Sequence, residues 1–311
     1  MIPFIRNENM KIYKRNRTWV MIAIVLLFVL LQIVNIKTTG RDAVSGDWRA
    51  QLEQQNVKLR EEASKPGALN IEVKQAEKNM LLNQYHLDKN IPPSTNAWNF
   101  AVSQVRNIII AVALISIIIA GEIVAGEFTS GTIKLLLTRS ASRTKIYFSK
   151  YIAALLFGLL LTAAGILVSI LAGGLIFGFG GLADSYFFVK DHTVGQVPML
   201  QALLAGFVLN IPFLLITITL AFMISAAFRS STFSIVISLI VSVTGFVIAI
   251  AMDGWDWTKY FVFSHTDLTP FLYGNPSVDG VTLGFSLVLI VLHLAILHLI
   301  SYPLFVKRDV V

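Results

Sequence analysis

Gly121-Glu-Ile-Val-Ala-Gly-Glu-Phe-Thr-Ser-Gly-Thr-Ile-Lys-Leu-Leu-Leu-Thr-Arg-Ser-Ala-Ser-Arg-Thr-Lys-Ile-Tyr-Phe-Ser-Lys150 decides how the rest of the chain is read. It lies between two long apolar runs and carries Lys134, Arg139, Arg143, Lys145 and Lys150. A cation at the centre of a membrane helix costs roughly 2.5 to 3.5 kcal/mol on insertion scales, so this segment cannot cross a bilayer. It reads as a loop on the membrane surface. With only Glu122 and Glu127 to offset five cations, the positive-inside rule puts that surface in the cytoplasm.

The whole composition agrees with apolar runs on either side of such a loop. Of 311 residues, 55% are hydrophobic and 14% charged, and the mean hydropathy is +0.71, which excludes an ordinary soluble domain. The net charge of +7 could suggest nucleic acid, but that needs cations clustered on a folded soluble face. Here they flank the apolar runs as topology anchors, so no nucleic-acid partner is expected. There is no cysteine, hence no disulfide framework, thiolate metal site or catalytic thiol.

Working outward, residues 1–18 hold Arg6, Lys11, Lys14, Arg15 and Arg17 against a single Glu8 and read as an interfacial helix on the inner leaflet. The first span is 19–36. It exceeds the 7 to 15 apolar residues usual for a signal-peptide core and no small-x-small site follows, so it is expected to stay as a membrane helix. Residues 37–97 form two helix-rich arms, Asp47 to Ser64 and Ile71 to Leu87, around the turn Lys65-Pro66-Gly67, and are placed outside as a helical hairpin. Further spans follow at 107–125, 151–179, 200–228, 233–252 and 281–306, with a loop at 126–150 and a short outer loop at 180–198. Gly158, Gly165, Gly173 and Gly174 imply that the third span is tilted or closely packed, and Pro212 should kink the fourth. The aromatic-rich stretch 253–280, with Trp255, Trp257 and Tyr260, is expected at headgroup depth as a re-entrant segment.

The inner segments of this layout hold 13 basic residues against four acids, and the outer ones 12 against 14. Inverting the protein would violate the positive-inside rule at every short loop. The fold class is therefore an all-α polytopic membrane protein with six transmembrane helices, an N-terminal interfacial helix, an extracellular hairpin and both termini cytoplasmic, in the cell membrane.

No catalytic constellation emerges. Gly126 and Gly131 have the spacing of a phosphate-binding loop, but the Lys required before Thr132 is missing and no strand precedes it. The chain is not expected to hydrolyse ATP or to act as an enzyme. His293 and His298 diverge by about 140° on the last span, unlike metal ligands four apart, and read as packing histidines. Glu122, inside the second span, is a candidate gate or pathway residue, or else a carboxylate paired with Lys150 or Arg229. Arg106 is expected to snorkel to the outer interface. Asn210, beside Pro212, could line a path or bond to a neighbouring helix.

Gly131 to Thr138 can form a short helix parallel to the membrane, with Ile133, Leu136 and Leu137 on one side and Lys134 and Arg139 outward; Glu127 and Thr129 suit its start. The pattern Glu127-x-x-x-Gly131-Thr132-Ile133-Lys134-x-Leu136-Leu137-Thr138-x-x-x-Ser142-Arg143, followed by Lys145-Ile146 and Ser149-Lys150, resembles the permease subunits of exporter-type (type 2) ABC transporters. In that family the loop after the second span carries a coupling helix that sits in a cleft of a separate ATP-binding subunit. The resemblance extends to the interfacial helix, the six spans and the re-entrant segment. Many members have Pro where Ser140 stands, and the outer hairpin is longer than in minimal members.

The resemblance implies coupling roles for Glu127, Gly131, Thr132, Lys134, Leu136, Arg139 and Arg143. It implies two cytoplasmic ABC ATPase subunits as partners, carrying ATP and Mg, and a second permease, identical or related, with no cofactor on this chain. Export of an amphipathic or hydrophobic compound, or a peptide, is the expected activity. The alternatives are an ion-coupled carrier or channel acting alone, for which the spans supply little charge beyond Glu122, and a sensor using the outer hairpin.

Overall fold

Every apolar run becomes a helix, and six helices are long and apolar enough to cross a membrane. The computed structural model describes residues 1–38, 47–93, 95–131, 142–228, 230–276 and 280–307, and these described residues are 79% helical. Its helices are α1 (Ile2–Tyr13), α2 (Asn16–Thr38), α3 (Trp48–Ala63), α4 (Asn70–Lys89), α5 (Ala97–Ile123), α6 (Ala125–Thr129), α7 (Arg143–Phe177), α8 (Met199–Phe228), α9 (Ser231–Ala251), α10 (Pro270–Tyr273) and α11 (Leu283–Val306).

Helices α5, α7 and α8 form the centre of the bundle. On α5, Ala101, Val105, Ile108, Val112 and Ala113 are buried at helical spacing, so one continuous face meets protein. Close packing against α7 follows from the glycines of α7. A Cβ at Gly165 would stand 2.8 Å from Ile108 Cγ2, and one at Gly173 would stand 2.9 Å from Phe100 Cδ1. Removing Cβ atoms lets backbones approach where no hydrophobic drive exists between helices in lipid. Helix α2 is more peripheral: Met21, Val25, Val29 and Ile33 form a buried stripe at intervals of four, while Val20, Ile24, Leu27 and Leu31 stay exposed. That is the pattern of a helix with one face on protein and the other left for lipid.

Several element ends differ from expectation. The second spanning helix starts at Ala97, because the Asn96 side chain caps it by accepting from Trp98 N and Asn99 N at 3.0 and 2.9 Å. The third starts at Arg143, with Ser142 as its cap, so both ends of the segment 126–150 are helical. Helix α8 runs without a break through Pro212. The proline ring deprives the carbonyl at Val208 of its helical donor, and at the next carbonyl, Leu209, the Leu268 N–H of a distant loop donates at 3.0 Å.

The expected outer loop at 180–198 is instead a β-hairpin, so the chain is not purely α. Strand β1 (Ser185–Lys190) pairs antiparallel with β2 (Thr193–Pro198). Its two-residue turn, Asp191-His192, has both residues at positive φ, 50° and 57°, as the turn twist that suits a tight hairpin requires. Tyr186, Phe187, Phe188 and Val189 supply the strand-favouring side chains. Phe187 packs on Tyr85 of α4, ring centroids 5.4 Å apart. Helices α3 and α4 pack on each other as the expected hairpin, burying Leu52 and Ala76, with Gly67 at φ +85° in the connecting turn. Between α9 and α11, two 3₁₀ turns (Asp256–Tyr260 and Val262–His265) bury Phe263 over Gly245.

Candidate functional site

The break between α5 and α6 builds the site. In an uninterrupted helix Ala125 N would donate to Gly121 O, four residues back. Here the Ser225 hydroxyl of α8 stands between them, accepting from Ala125 N at 3.0 Å and donating to Gly121 O at 2.7 Å. A side chain inserted in the backbone ladder is a known cause of helix breaks. It turns α6 away from α5 and leaves the Ile123 carbonyl available at the end of α5.

That carbonyl accepts from Lys150 Nζ at 3.0 Å. Lys150 lies two turns into α7 and is 0% exposed. Its other acceptors are Glu8 Oε2 at 3.0 Å and Glu127 Oε1 at 2.7 Å. An ammonium has three N–H groups, and all three are met. Glu8, on α1, is 4% exposed. Lys11, one turn further along α1, completes a ring of four charges: it lies 2.7 Å from Glu8 Oε1 and 2.8 Å from Glu127 Oε1. Two carboxylates and two ammoniums sum to zero, which is what makes burial of Glu8, Glu127 and Lys150 beside the half-exposed Lys11 tolerable. Burial alone would lower the pKa of Lys11, but its hydrogen bonds to Glu127 and Glu8 outweigh this and hold it above the ordinary value.

Beside this ring Glu122 meets Arg15, at 3.2 Å, and Arg17. The expected partners were Lys150 or Arg229; Lys150 is committed to Glu8, Glu127 and Ile123, and Arg229 lies outside the described residues. The corner between α1 and α2 is fixed by Thr18 Oγ1 donating to Ile12 O at 2.6 Å and Trp19 Nε1 donating to Tyr13 O at 3.0 Å. The N-terminal segment is thereby clamped onto the two ends of the loop.

Gly131 ends α6 at φ +70°, where nothing lies within 4 Å of a would-be Cβ. It serves as the left-handed residue after a helix terminus. Arg143 Nη1 donates to Val306 O at 2.9 Å, meeting an orphan carbonyl at the end of α11. Next to it Thr144 meets Tyr302 at 2.8 Å, and Tyr147 meets His298 Nδ1 at 2.7 Å and Ser301 at 2.6 Å. His293 bonds Leu289 O of its own helix at 2.9 Å. Thr132, Lys134, Leu136 and Arg139 lie outside the described residues.

The structure thus brings Glu122 and Glu127 together with Arg15, Arg17, Lys11, Glu8 and Lys150, with Gly131 closing α6 close by. It sets Asn210 and Pro212 apart. Asn210 Nδ2 donates to Gly206 O at 2.9 Å, within its own helix, and its side chain lines a void of about 10 Å³ shared with Arg106 and Asp267. Arg106, half-exposed, pairs with Asp267 at 3.0 Å. Glu8, Lys11, Arg15 and Arg17 were not among the site residues expected from sequence. The one signal that pointed to them is that Glu8 is the single acid among five cations, three residues before Lys11.

Six apolar helices of spanning length make this a multi-pass membrane protein. The chain belongs to the family described as Protein of unknown function (DUF2705), which its residues 73–311 match. It is 36% identical over 317 aligned positions to the Uncharacterized protein YhcI of Bacillus subtilis (strain 168), covering 100% of this chain and 99% of that relative. It is 27% identical over 209 positions to the Uncharacterized membrane protein YdbK of the same organism, covering 65% of this chain and 78% of that relative. No solved structure matches.

Proposed function

We propose that this chain is the permease subunit of an ATP-driven transporter of the exporter type, energised by two separate cytoplasmic ATPase subunits and paired with a second permease. On this reading the charge ring, both termini and the loop 132–141 are cytoplasmic, and α3 and α4 form an extracellular hairpin. The segment 253–280 is re-entrant from the outer side. In support of the last point, Phe263 reaches Gly245, six residues or about 9 Å below the end of α9 at Ala251.

The observation that carries the reading is the clamp at the two ends of the loop. Glu127 precedes it and Lys150 follows it; the two pair with each other, and the ring closes through Lys11 on Glu127 and Glu8 on Lys150, which pair in turn. A partner gripping Thr132, Lys134, Leu136 and Arg139 would push on a rigid base rather than on a hinge. Its force would pass into α1, α5 and α7 together. The cargo that fits a lipid-facing bundle with few intramembrane charges is an amphipathic or hydrophobic compound, or a peptide, moved outward.

Purification from mild detergent tests this. Co-elution of an ATPase whose turnover falls in Gly131→Pro is expected, since proline cannot adopt the positive φ at that position. Normal activity without any ATPase would overturn the proposal. So would labelling, from outside intact cells, of a cysteine placed at Ser142.

A further inference from the structure

At the end of the bundle far from the charge ring lies an open cavity of about 510 Å³, lined by α4, the end of α9, the β-hairpin and the segment around α10. This is within the roughly 300 to 1,000 Å³ range of small-molecule sites. Phe246, Phe263 and Phe271 give it apolar walls, and four cations border it. Two of these are already matched. Lys74 pairs with Asp253 and Arg106 with Asp267, each at 3.0 Å. Asp267 is further committed to Thr269, whose N–H donates to Oδ1 at 2.9 Å. Lys259 lies 5.4 Å from the centre of the Tyr260 ring, at the edge of the wall.

Lys78 is different. It projects from α4 into the same space, half-buried, and among the described residues no carboxylate oxygen comes within 4.0 Å of it. Glu77, its neighbour in sequence, is exposed at the rim. Burial pushes the Lys78 ammonium down from its ordinary pKa, with the Asp267 charge, beyond ion-pair distance, opposing. A half-buried cation with no carboxylate in contact, set above apolar walls, favours any anion that can enter with apolar surface behind it.

We propose that this cavity binds an anionic amphiphile, with a carboxylate or phosphate head against Lys78 and an apolar body along Phe246, Phe263 and Phe271. The proposal does not depend on a partner ATPase, because binding is read on the purified full chain alone. The same chemistry could arrive from the membrane as an anionic lipid or from water as a free amphiphile.

The test uses the full chain in lipid discs of zwitterionic lipid, titrated with dodecyl phosphate, with empty discs as the blank. Dodecyltrimethylammonium and inorganic phosphate serve as controls for charge and tail. Saturable binding of dodecyl phosphate is expected, weakened at least about tenfold in Lys78→Gln, as the loss of a charge-assisted hydrogen bond implies, and kept in Lys78→Arg. The unfolding temperature of Lys78→Gln reports that it is folded. Equal binding of the cationic amphiphile, inorganic phosphate binding as well as dodecyl phosphate, or an unchanged affinity in Lys78→Gln would overturn the proposal. In discs containing phosphatidylglycerol, displacement of the probe supports the site with a membrane lipid as occupant. Undiminished probe binding there supports it with a ligand from water.

Discussion

Lys150 and Lys78 are both removed from bulk water in the same chain, and they are treated in opposite ways. Lys150 is fully buried and finds three acceptors on three different helices, α1, α5 and α6. Lys78 is half-buried at the other end and finds no carboxylate among the described residues. A cation whose every N–H is satisfied by the protein ties elements together and has nothing left for a ligand. One left unmatched at a cavity wall holds nothing together and keeps its charge for whatever enters. The first arrangement suits transmission of force, the second recognition.

The largest effect should come from breaking the ring. Lys150→Met would leave Glu8 and Glu127 facing each other with only the half-exposed Lys11 between them. Removing one partner of a buried ion pair costs about 3 to 5 kcal/mol, mainly because the remaining charge is stranded. Thermal unfolding of the solubilised protein should show this loss, and the double variant Lys150→Met with Glu127→Gln should recover a large part of it. Failure of the second change to help would mean that the charges do not act as one unit. Next in size is Ser225→Ala, which strands the Ala125 N–H and the Gly121 carbonyl at a buried helix break. An unsatisfied buried polar group costs about 1 to 3 kcal/mol, unless α5 and α6 join into one helix. Amide exchange at residues 121–127 separates the two outcomes: faster exchange supports the bridging role, and slower exchange shows that the serine only imposes the break.

The difference between the two lysines also marks what the sequence could and could not reveal. Apolar runs, Lys65-Pro66-Gly67 and the small residues of α7 report local or one-dimensional constraints, so six apolar helices of spanning length, the α3–α4 hairpin and the close packing of α7 were legible, though not that α5 is its partner. Glu8 and Lys150 are 142 positions apart, and nothing local says that they meet. The helix break is similarly non-local, since its cause is a serine 100 residues further on. The β-hairpin was missed for another reason. Its turn is Asp191-His192 rather than a glycine-containing pair, and the charged residues of a short segment between apolar runs read as a plain outer loop.

A smaller effect is expected at Gly131. Its Cβ would meet no atom, so Gly131→Ala isolates the backbone cost of a positive φ, about 1 kcal/mol. Under this account Gly131→Ala lowers stability slightly and Gly131→Asn less, because Asn tolerates that region. Alkali should act on the same end of the molecule. Lys11 has its pKa raised in the folded protein, so its contribution is complete below lysine's ordinary value of 10.5 and is lost as pH rises through the higher folded value. Protease sensitivity of α1 should therefore rise only above about pH 10.5, and Lys11→Met should abolish that step.

The smallest effect, and the sharpest contrast, belongs to Lys78→Met. The same substitution that costs several kcal/mol at Lys150 removes here a half-buried charge with no ion-pair partner to strand. Loss of the charge relieves a desolvation cost, and the methionine side chain suits the apolar walls. Thermal unfolding in ligand-free discs should therefore show a change within about 0.5 kcal/mol, or a gain. A loss comparable with that of Lys150→Met would show that Lys78 has a structural partner after all, and the contrast between the two ends of the molecule would fail.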